Sequence, residues 1–282
     1  MELISQIDLD DLLRRALAED VGQGDITTAA TVPAKRRGRA KVSVKEPAMV
    51  LAGGFMFKRV FSMTNAAARI ESLAPEGALL KRGDVISEID GLLSGLLIGE
   101  RVALNFVQLM SGIATVTRRF VEAVAGTRAR IVDTRKTHPG LRAIEKYAVR
   151  AGGGFNHRFG LDSGILIKEN HIAAAGSVGA AIEGARRLAP HTLRVEIECE
   201  TLAQVEEARR AGADAMLLDN MALEDIRRAR ALAGESAILE VSGGVSLDTV
   251  RAIAETGVDI ISVGALTHSA PAVDISMRIE GT

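Results

Sequence analysis

RVEIECETLAQVEEARRAGADAMLLDNMALEDIRRARALAGESAILEVSGGVSLDTVRAIAETGVDIISVG, residues 194–264, decides the fold. Short apolar runs (RVEIE, AMLLD, AILEV, IISVG) alternate with amphipathic helical stretches (TLAQVEEARRAG, ALEDIRRARALAG, SLDTVRAIAETG). The step from one apolar run to the next is about 20 residues, the length of one βα unit. Upstream, ARIVD (129–133) and GILI (164–167) extend the series to six strands. Six such units predict a parallel sheet curled toward a barrel. Only about 165 residues remain for it, short of eight full units, so an incomplete barrel is expected.

The texture differs before residue 100. After a leading helix ending near Asp20, the runs GRAKVSVKEPAMVLAG, ARIESLAPEGALLKRGDVISEIDG and LLSGLLIG read as short strands with Gly/Pro turns. They predict an antiparallel sheet with helices over residues 1–105, followed by a barrel domain over 106–269. EGALLKRGDVISEIDG is similar to the strands of biotinyl-carrier domains but lacks their modified lysine hairpin, so it is read as architecture. ERVALNFVQLMSGIATVTRRFVEAVA (100–125) has helical spacing and reads as one helix or two broken near Ser111-Gly112.

Composition excludes several roles. The 282 residues carry a formal charge of −1 and are 47% hydrophobic, which suits a large core. Without a basic excess, neither a nucleic-acid partner nor an acidic membrane surface is expected. No apolar run reads as long enough to span a membrane, and the acidic N-terminal stretch does not read as a signal peptide. One cysteine, Cys199, rules out an intrachain disulfide and fits a reducing, cytoplasmic setting. As a neighbour of Glu198 on a strand, Cys199 should face the opposite side and serve packing.

In parallel α/β folds chemistry gathers at the carboxyl ends of strands. Here those ends carry Arg135-Lys136, Lys168 through His171, Glu198, Asp219-Asn220, Ser242-Gly243-Gly244 and Gly264-Ala265-Leu266. Any one of these could be a solvated loop residue or a turn glycine. Six in matching register form a site. Arg135, Lys136, His157, Arg158 and Lys168 make a cationic half suited to carboxylates or phosphates. Glu198 and Asp219 make an acidic half able to hold a divalent cation, hold ribose hydroxyls, or act as a general acid/base pair. VSGGVS and VGALTHS place small residues before helices, with Ser246 as an N-cap, and so offer amide groups to a phosphate. Lys168 could alternatively form a Schiff base, although neighbouring cations and an anionic ligand favour a charge partner.

Six segments together carry a family resemblance: EDVGQGDITT, GERVALNFVQLMSGIATVT, DTRKTHPGLRAIEKYAVRAGGGFNHRFGL, ILIKENHIAAAG, LLDNM and VGALTHSAPAVDIS. In order and nearly end to end, the chain resembles the quinolinate phosphoribosyltransferases, densest over residues 99–276. The resemblance implies an N-terminal α/β sandwich plus an open α/β barrel of the type II phosphoribosyltransferase kind, seven-stranded, with the tail 270–282 packing on the first domain. It implies conversion of quinolinate and phosphoribosyl pyrophosphate to nicotinate mononucleotide, pyrophosphate and CO2 with Mg2+, in NAD biosynthesis. A homo-oligomer, dimer or hexamer, is implied, with Arg101 reaching the site of its partner.

The same resemblance gives Arg101, Arg135, His157, Arg158 and Lys168 to the quinolinate carboxylates and Lys136 to phosphoribosyl pyrophosphate. Glu198 and Asp219 receive the ribose hydroxyls and Mg2+. Ser242, Gly243, Gly244, Gly264, Ala265 and His268 form the cradle for the 5-phosphate. Two positions depart from the family pattern. His138 stands where an uncharged residue is commoner, and Asp162-Ser163 reverses the usual order. A molybdenum-uptake-associated relative of the same fold is disfavoured by the intact NHR and IKENH segments. Nicotinate phosphoribosyltransferase is disfavoured by the number of cations, and a Schiff-base lyase would need a borohydride-trappable Lys168.

Overall fold

Asp25 shows how the leading segment is punctuated: its carboxylate accepts from the Thr28 amide at 2.9 Å and so caps a helix. The computed structural model describes residues 6–280; residues 1–5 of the leading segment and 281–282 of the tail lie outside them. The chain runs α1 (Gln6–Val21), α2 (Ile26–Thr31), β1 (Arg37–Val44), β2 (Ala48–Val50), α3 (Phe55–Met63), β3 (Arg69–Leu73), β4 (Leu79–Lys81), β5 (Val85–Leu92) and α4 (Leu93–Ala123). It continues through β6 (Arg130–Val132), α5 (Arg142–Ala151), β7 (Ile165–Ile167), α6 (Glu169–Ala175), α7 (Val178–Leu188), β8 (Val195–Cys199) and α8 (Leu202–Arg210). Last come β9 (Ala215–Asp219), α9 (Leu223–Ala233), β10 (Ile238–Ser242), α10 (Val250–Ala254), β11 (Ile260–Ser262), α11 (Ala265–His268) and β12 (Ile275–Glu280).

Two compact units result. Among the described residues, the first comprises 6–118, His138–Gly153 and 269–280; the second comprises Arg119–Thr137 and Gly154–His268. A division at residue 105, drawn from sequence texture, falls inside α4.

The first unit is built on a four-stranded antiparallel sheet in the order β12-β1-β5-β3. Strand alternation buries Ala40, Val42 and Val44 of β1 and Ile89 of β5. Met56, Phe57, Val60 and Phe61 form the buried stripe of α3. The C-terminal strand pairs with β1 from Arg39–Glu280 to Val44–Ile275, so the tail completes this sheet.

The segment LLSGLLIG corrects the strand expectation: only Leu92 is strand, and the rest opens α4. Its glycines read as turns but are points of close approach. A Cβ on Gly95 would stand 2.5 Å from the Ala66 Cα, and one on Gly99 3.0 Å from the Phe61 ring. Nor does α4 break at Ser111-Gly112. The Ser111 hydroxyl is occupied by the Ala52 backbone, and a Cβ on Gly112 would lie 2.0 Å from the Pro271 carbonyl oxygen. At 31 residues, α4 passes for a membrane span by length and composition alone. Val107, Met110, Ile113 and Ala114 are buried in this unit, so here it is a core helix.

Residues 138–153 also belong to the first unit. A Cβ on Gly152, which ends α5, would lie 2.5 Å from the Ala114 carbonyl oxygen, while Arg118 Nε donates to the Gly152 carbonyl at 3.0 Å. Gly153 then reverses the chain at φ +93°.

The second unit is the six-stranded parallel sheet predicted, in the order β6-β11-β10-β9-β8-β7. β6 and β7 are its two ends, and beside β6 the single residue Phe155 forms a parallel bridge to Val132. The seventh strand implied by the family is thus reduced to one bridged residue. Val195, Ile197 and Cys199 are buried on one side of β8, leaving Glu196 and Glu198 on the other.

Candidate active site

At the carboxyl ends of the six strands lies a cavity of about 470 Å³. Its cationic lining is Arg135, Lys136, Arg158 and Lys168, and its acidic lining includes Glu198, Asp219 and Glu240. Ser242, Gly243, Gly244, Gly264, Ala265 and His268 line the remaining wall. Every residue given a substrate or metal role from sequence lines it except Arg101, which sits exposed on α4 in the first unit, while Glu169, Asn170, His171, Asn220 and Leu266 at the strand ends do not line it.

The turn after β6 is fixed by backbone and hydroxyl contacts. Thr134 Oγ1 accepts from the Lys136 amide at 3.0 Å, and Thr267 Oγ1 donates to the Lys136 carbonyl at 2.7 Å. Gly264 leaves room for the Lys136 stem: a Cβ there would lie 3.1 Å from its Cδ. Asp133, fully buried, accepts from Asn156 Nδ2 at 2.5 Å and from the His157 amide at 2.9 Å. That carboxylate ties the loop carrying His157 and Arg158 to the end of β6.

Arg158 Nη1 donates to the Gly164 carbonyl at 2.9 Å, while its Nε is buried without a hydrogen-bond partner. Burial first, then Arg135, pull the Arg158 guanidinium below the ordinary arginine value, with Glu196 opposing them. Two arginines held close together with an unsatisfied N–H make a site short of an anion. Across the cavity, Lys168 Nζ forms an ion pair with Glu198. His171 Nδ1 accepts the Lys168 amide at 2.9 Å, which anchors the start of α6.

His157 corrects the cationic grouping. Its Nδ1 accepts from the Arg158 amide at 2.7 Å, so that nitrogen carries no proton. Its Nε2 stands 3.2 Å from Glu196 Oε2 and 3.6 Å from Glu240 Oε1. Both ring nitrogens are therefore engaged within the protein. Burial, and then the Glu196 carboxylate, push the Glu240 carboxyl above the usual glutamate range.

Glu196 and Glu240 were not among the residues picked out from sequence. Strand parity holds the signal: Glu196 lies two residues before Glu198, and Glu240 two before Ser242, on the same strand faces.

On the phosphate side, Gly243 and Gly244 adopt φ +95° and +58°. The Ser246 amide donates to Thr249 Oγ1 at 3.0 Å in an intervening turn, and α10 starts only at Val250. Ser246 is therefore not the N-cap expected. Cys199 is fully buried, as strand parity predicted. His138 lies in the first unit, its Nδ1 2.6 Å from the buried Glu145.

Among the described residues, two groups of acidic or imidazole ligand atoms lie mutually within 4.8 Å: His157, Glu196 and Glu240, and Glu198, Glu200 and Asp219. The second, all oxygen donors, has the chemistry of a Mg2+ site.

Comparison with known proteins shows the family. The family described as "Quinolinate phosphoribosyl transferase, N-terminal domain" matches residues 25–111, and its C-terminal-domain counterpart matches residues 113–278. A "Probable nicotinate-nucleotide pyrophosphorylase [carboxylating]" of Bacillus subtilis is 42% identical over 276 residues, covering 98% of this chain and 95% of the other. A "Nicotinate-nucleotide pyrophosphorylase [carboxylating]" of Mycobacterium leprae is 44% identical over 277 residues, covering 95% and 96%. The crystal structure of NadC from Streptococcus pyogenes superposes with a TM-score of 0.94 at 44% identity, covering 98% of this chain and 97% of that one. Human nicotinic acid phosphoribosyltransferase shares the fold at a TM-score of 0.63 and 13% identity. With both halves matched and relatives this similar over nearly their whole length, the chain belongs to the quinolinate phosphoribosyltransferase family.

Proposed function

We infer that the chain transfers the phosphoribosyl group of phosphoribosyl pyrophosphate to the ring nitrogen of quinolinate, releasing pyrophosphate and CO2 and leaving nicotinate mononucleotide for NAD synthesis. The observation that carries this reading is the close placement of Arg135, Arg158 and Lys168 in one cavity with a glycine cradle. Two carboxylates on one small ring call for such a clamp, and a monocarboxylate does not. Arg101, exposed on α4, completes the clamp from a second copy of the chain in a homo-oligomer. Lys136 meets the pyrophosphate, and Ser242 through Gly244 with Gly264, Ala265 and His268 receive the 5-phosphate.

The chemistry needs no protein nucleophile. The anomeric C–O bond to pyrophosphate breaks as the quinolinate nitrogen approaches, through an oxocarbenium-like state that Glu198 and Asp219 orient through the ribose hydroxyls. The quaternised nitrogen then draws the electron pair of the C2–carboxylate bond onto C2 as CO2 leaves, and C2 takes up a proton. Arg158 and Arg135 hold the departing carboxylate. The Lys168–Glu198 ion pair supports charge pairing over Schiff-base chemistry.

Glu198, Glu200 and Asp219 would hold Mg2+, a fit supported by three oxygen donors within 4.8 Å of one another. When bound, that ion neutralises charge on the pyrophosphate. A single cysteine in the whole sequence supports a reducing, cytoplasmic setting.

The deciding experiment incubates the protein with Mg2+, phosphoribosyl pyrophosphate and carboxyl-labelled quinolinate or nicotinate. Labelled CO2 from quinolinate, with no mononucleotide from nicotinate, is expected. Turnover of nicotinate in place of quinolinate would sink the reading.

A further inference from the structure

Beneath the cationic clamp is a buried acidic floor that the proposed chemistry does not use. Glu196 comes from β8 and Glu240 from β10, and the two carboxyl groups and the His157 ring have ligand atoms mutually within 4.8 Å. Glu240 is 2% exposed and its Oε1 lacks a hydrogen-bond partner. A carboxyl group so placed is costly, and replacing it with an apolar residue would fill the same volume. Its presence calls for a role.

That role is visible at His157. The Nδ1 atom accepts the Arg158 amide, which requires an unprotonated Nδ1. The proton must then sit on Nε2, which faces Glu196 at 3.2 Å and Glu240 at 3.6 Å. A ring with Nδ1 protonated would set two N–H groups against each other at 2.7 Å. Also near the ring are Arg158 on the same loop, Arg135 beside Arg158, and Asp133, which holds the His157 amide at 2.9 Å.

We propose that Glu196 and Glu240 are positioning residues: they hold the His157 imidazole as its Nε2–H tautomer, so that Nδ1 receives the Arg158 amide and fixes the Arg158 guanidinium for the substrate carboxylate. Under this assignment His157 acts through Arg158 and carries no charge to the substrate. The upward push that burial and Glu196 give the Glu240 carboxyl fits the scheme, since it opposes a second negative charge under the ring. The scheme rests on reading Arg158 as a carboxylate ligand, and its test separates the two.

Nitrogen-15 NMR of the imidazole rings reads the tautomer directly in the unaltered enzyme, with His157 identified by the signals missing in His157→Gln. Protonated Nε2 and bare Nδ1 at neutral pH are expected. A doubly protonated ring, or a proton on Nδ1, overturns the proposal. Kinetics supply the second arm. Glu240→Leu should raise the quinolinate KM about tenfold or more and leave the phosphoribosyl pyrophosphate KM within about twofold, as expected for losing one buried polar partner on the quinolinate side. Glu240→Gln, isosteric and uncharged, should recover most of that loss. Equal change in both KM values, or no recovery by glutamine, overturns the positioning role. Arg158→Ala is read separately: an unchanged quinolinate KM would remove Arg158 as a ligand, and with it the functional half of the proposal, while the tautomer result would stand.

Discussion

The Asn220 side chain donates to Asp219 Oδ2 at 2.8 Å while its own Oδ1 lies 2.1 Å from where a Cβ on residue 243 would stand. Asp219 and the glycine pair are therefore set by one amide. Asn220 itself is left-handed, at φ +52°, a conformation asparagine tolerates better than most residues. Gly243→Ala should cost about 1–2 kcal/mol from its positive φ alone. It should also push Asn220 off Asp219 and raise the KM for phosphoribosyl pyrophosphate. Steady-state kinetics with thermal unfolding tests this; a destabilised variant with unchanged KM would show that the glycine serves folding only.

Lys168 and Glu198 make a different kind of pair. Lys168 is 47% exposed, so their attraction adds at most about 1 kcal/mol to stability. Lys168→Met should therefore keep the melting temperature close to the parent value. Its quinolinate KM should rise by about tenfold or more, the size expected for a charge-assisted contact. Treatment with borohydride and a carbonyl substrate should leave Lys168 unmodified. A trapped adduct would transfer this lysine from charge pairing to covalent catalysis.

Cys199 offers a check on the register of β8. Burial first, then Glu198 and Glu207, push its thiol up to about 12, so almost no thiolate exists at neutral pH. Thiol reagents should label the native protein only at the rate of unfolding and label it fully in denaturant. Rapid native labelling would mean that Cys199, and not Glu198, faces solvent.

The second unit was legible because each βα step writes its chemistry at a fixed place: an apolar run, then the residue that reaches the cavity. Arg135, Lys168, Glu198, Asp219 and Ser242 were all found by that rule. Glu196 and Glu240 escape it because they sit inside the runs, where only strand parity, and no change of texture, marks the cavity face. The first unit was harder, since glycine has two uses that sequence writes alike. Gly95 and Gly99 were read as turns, yet they let α4 pack against Ala66 and Phe61. Only the partner across the contact distinguishes the two uses, and that partner is roughly 30 residues away in sequence for Gly95 and roughly 40 for Gly99.

His138, the departure from the family pattern, has a structural role at Glu145. Burial raises the Glu145 carboxyl, and the hydrogen bond, charge and amide of His138 pull it back, with Arg142 adding to them. The net direction is upward. A carboxyl raised in the folded state contributes stability that is complete below the ordinary glutamate value, about 4.3, and is lost as pH rises through the folded value. Urea unfolding across this range should therefore show falling stability with rising pH for the parent protein. Glu145→Gln should flatten that slope, because the amide has nothing to ionise. His138→Ala should steepen it, leaving the buried carboxylate short of a partner at a cost of about 1–3 kcal/mol near neutrality. Identical slopes in all three proteins would mean that Glu145 does not titrate in this interval and that His138 contributes only shape.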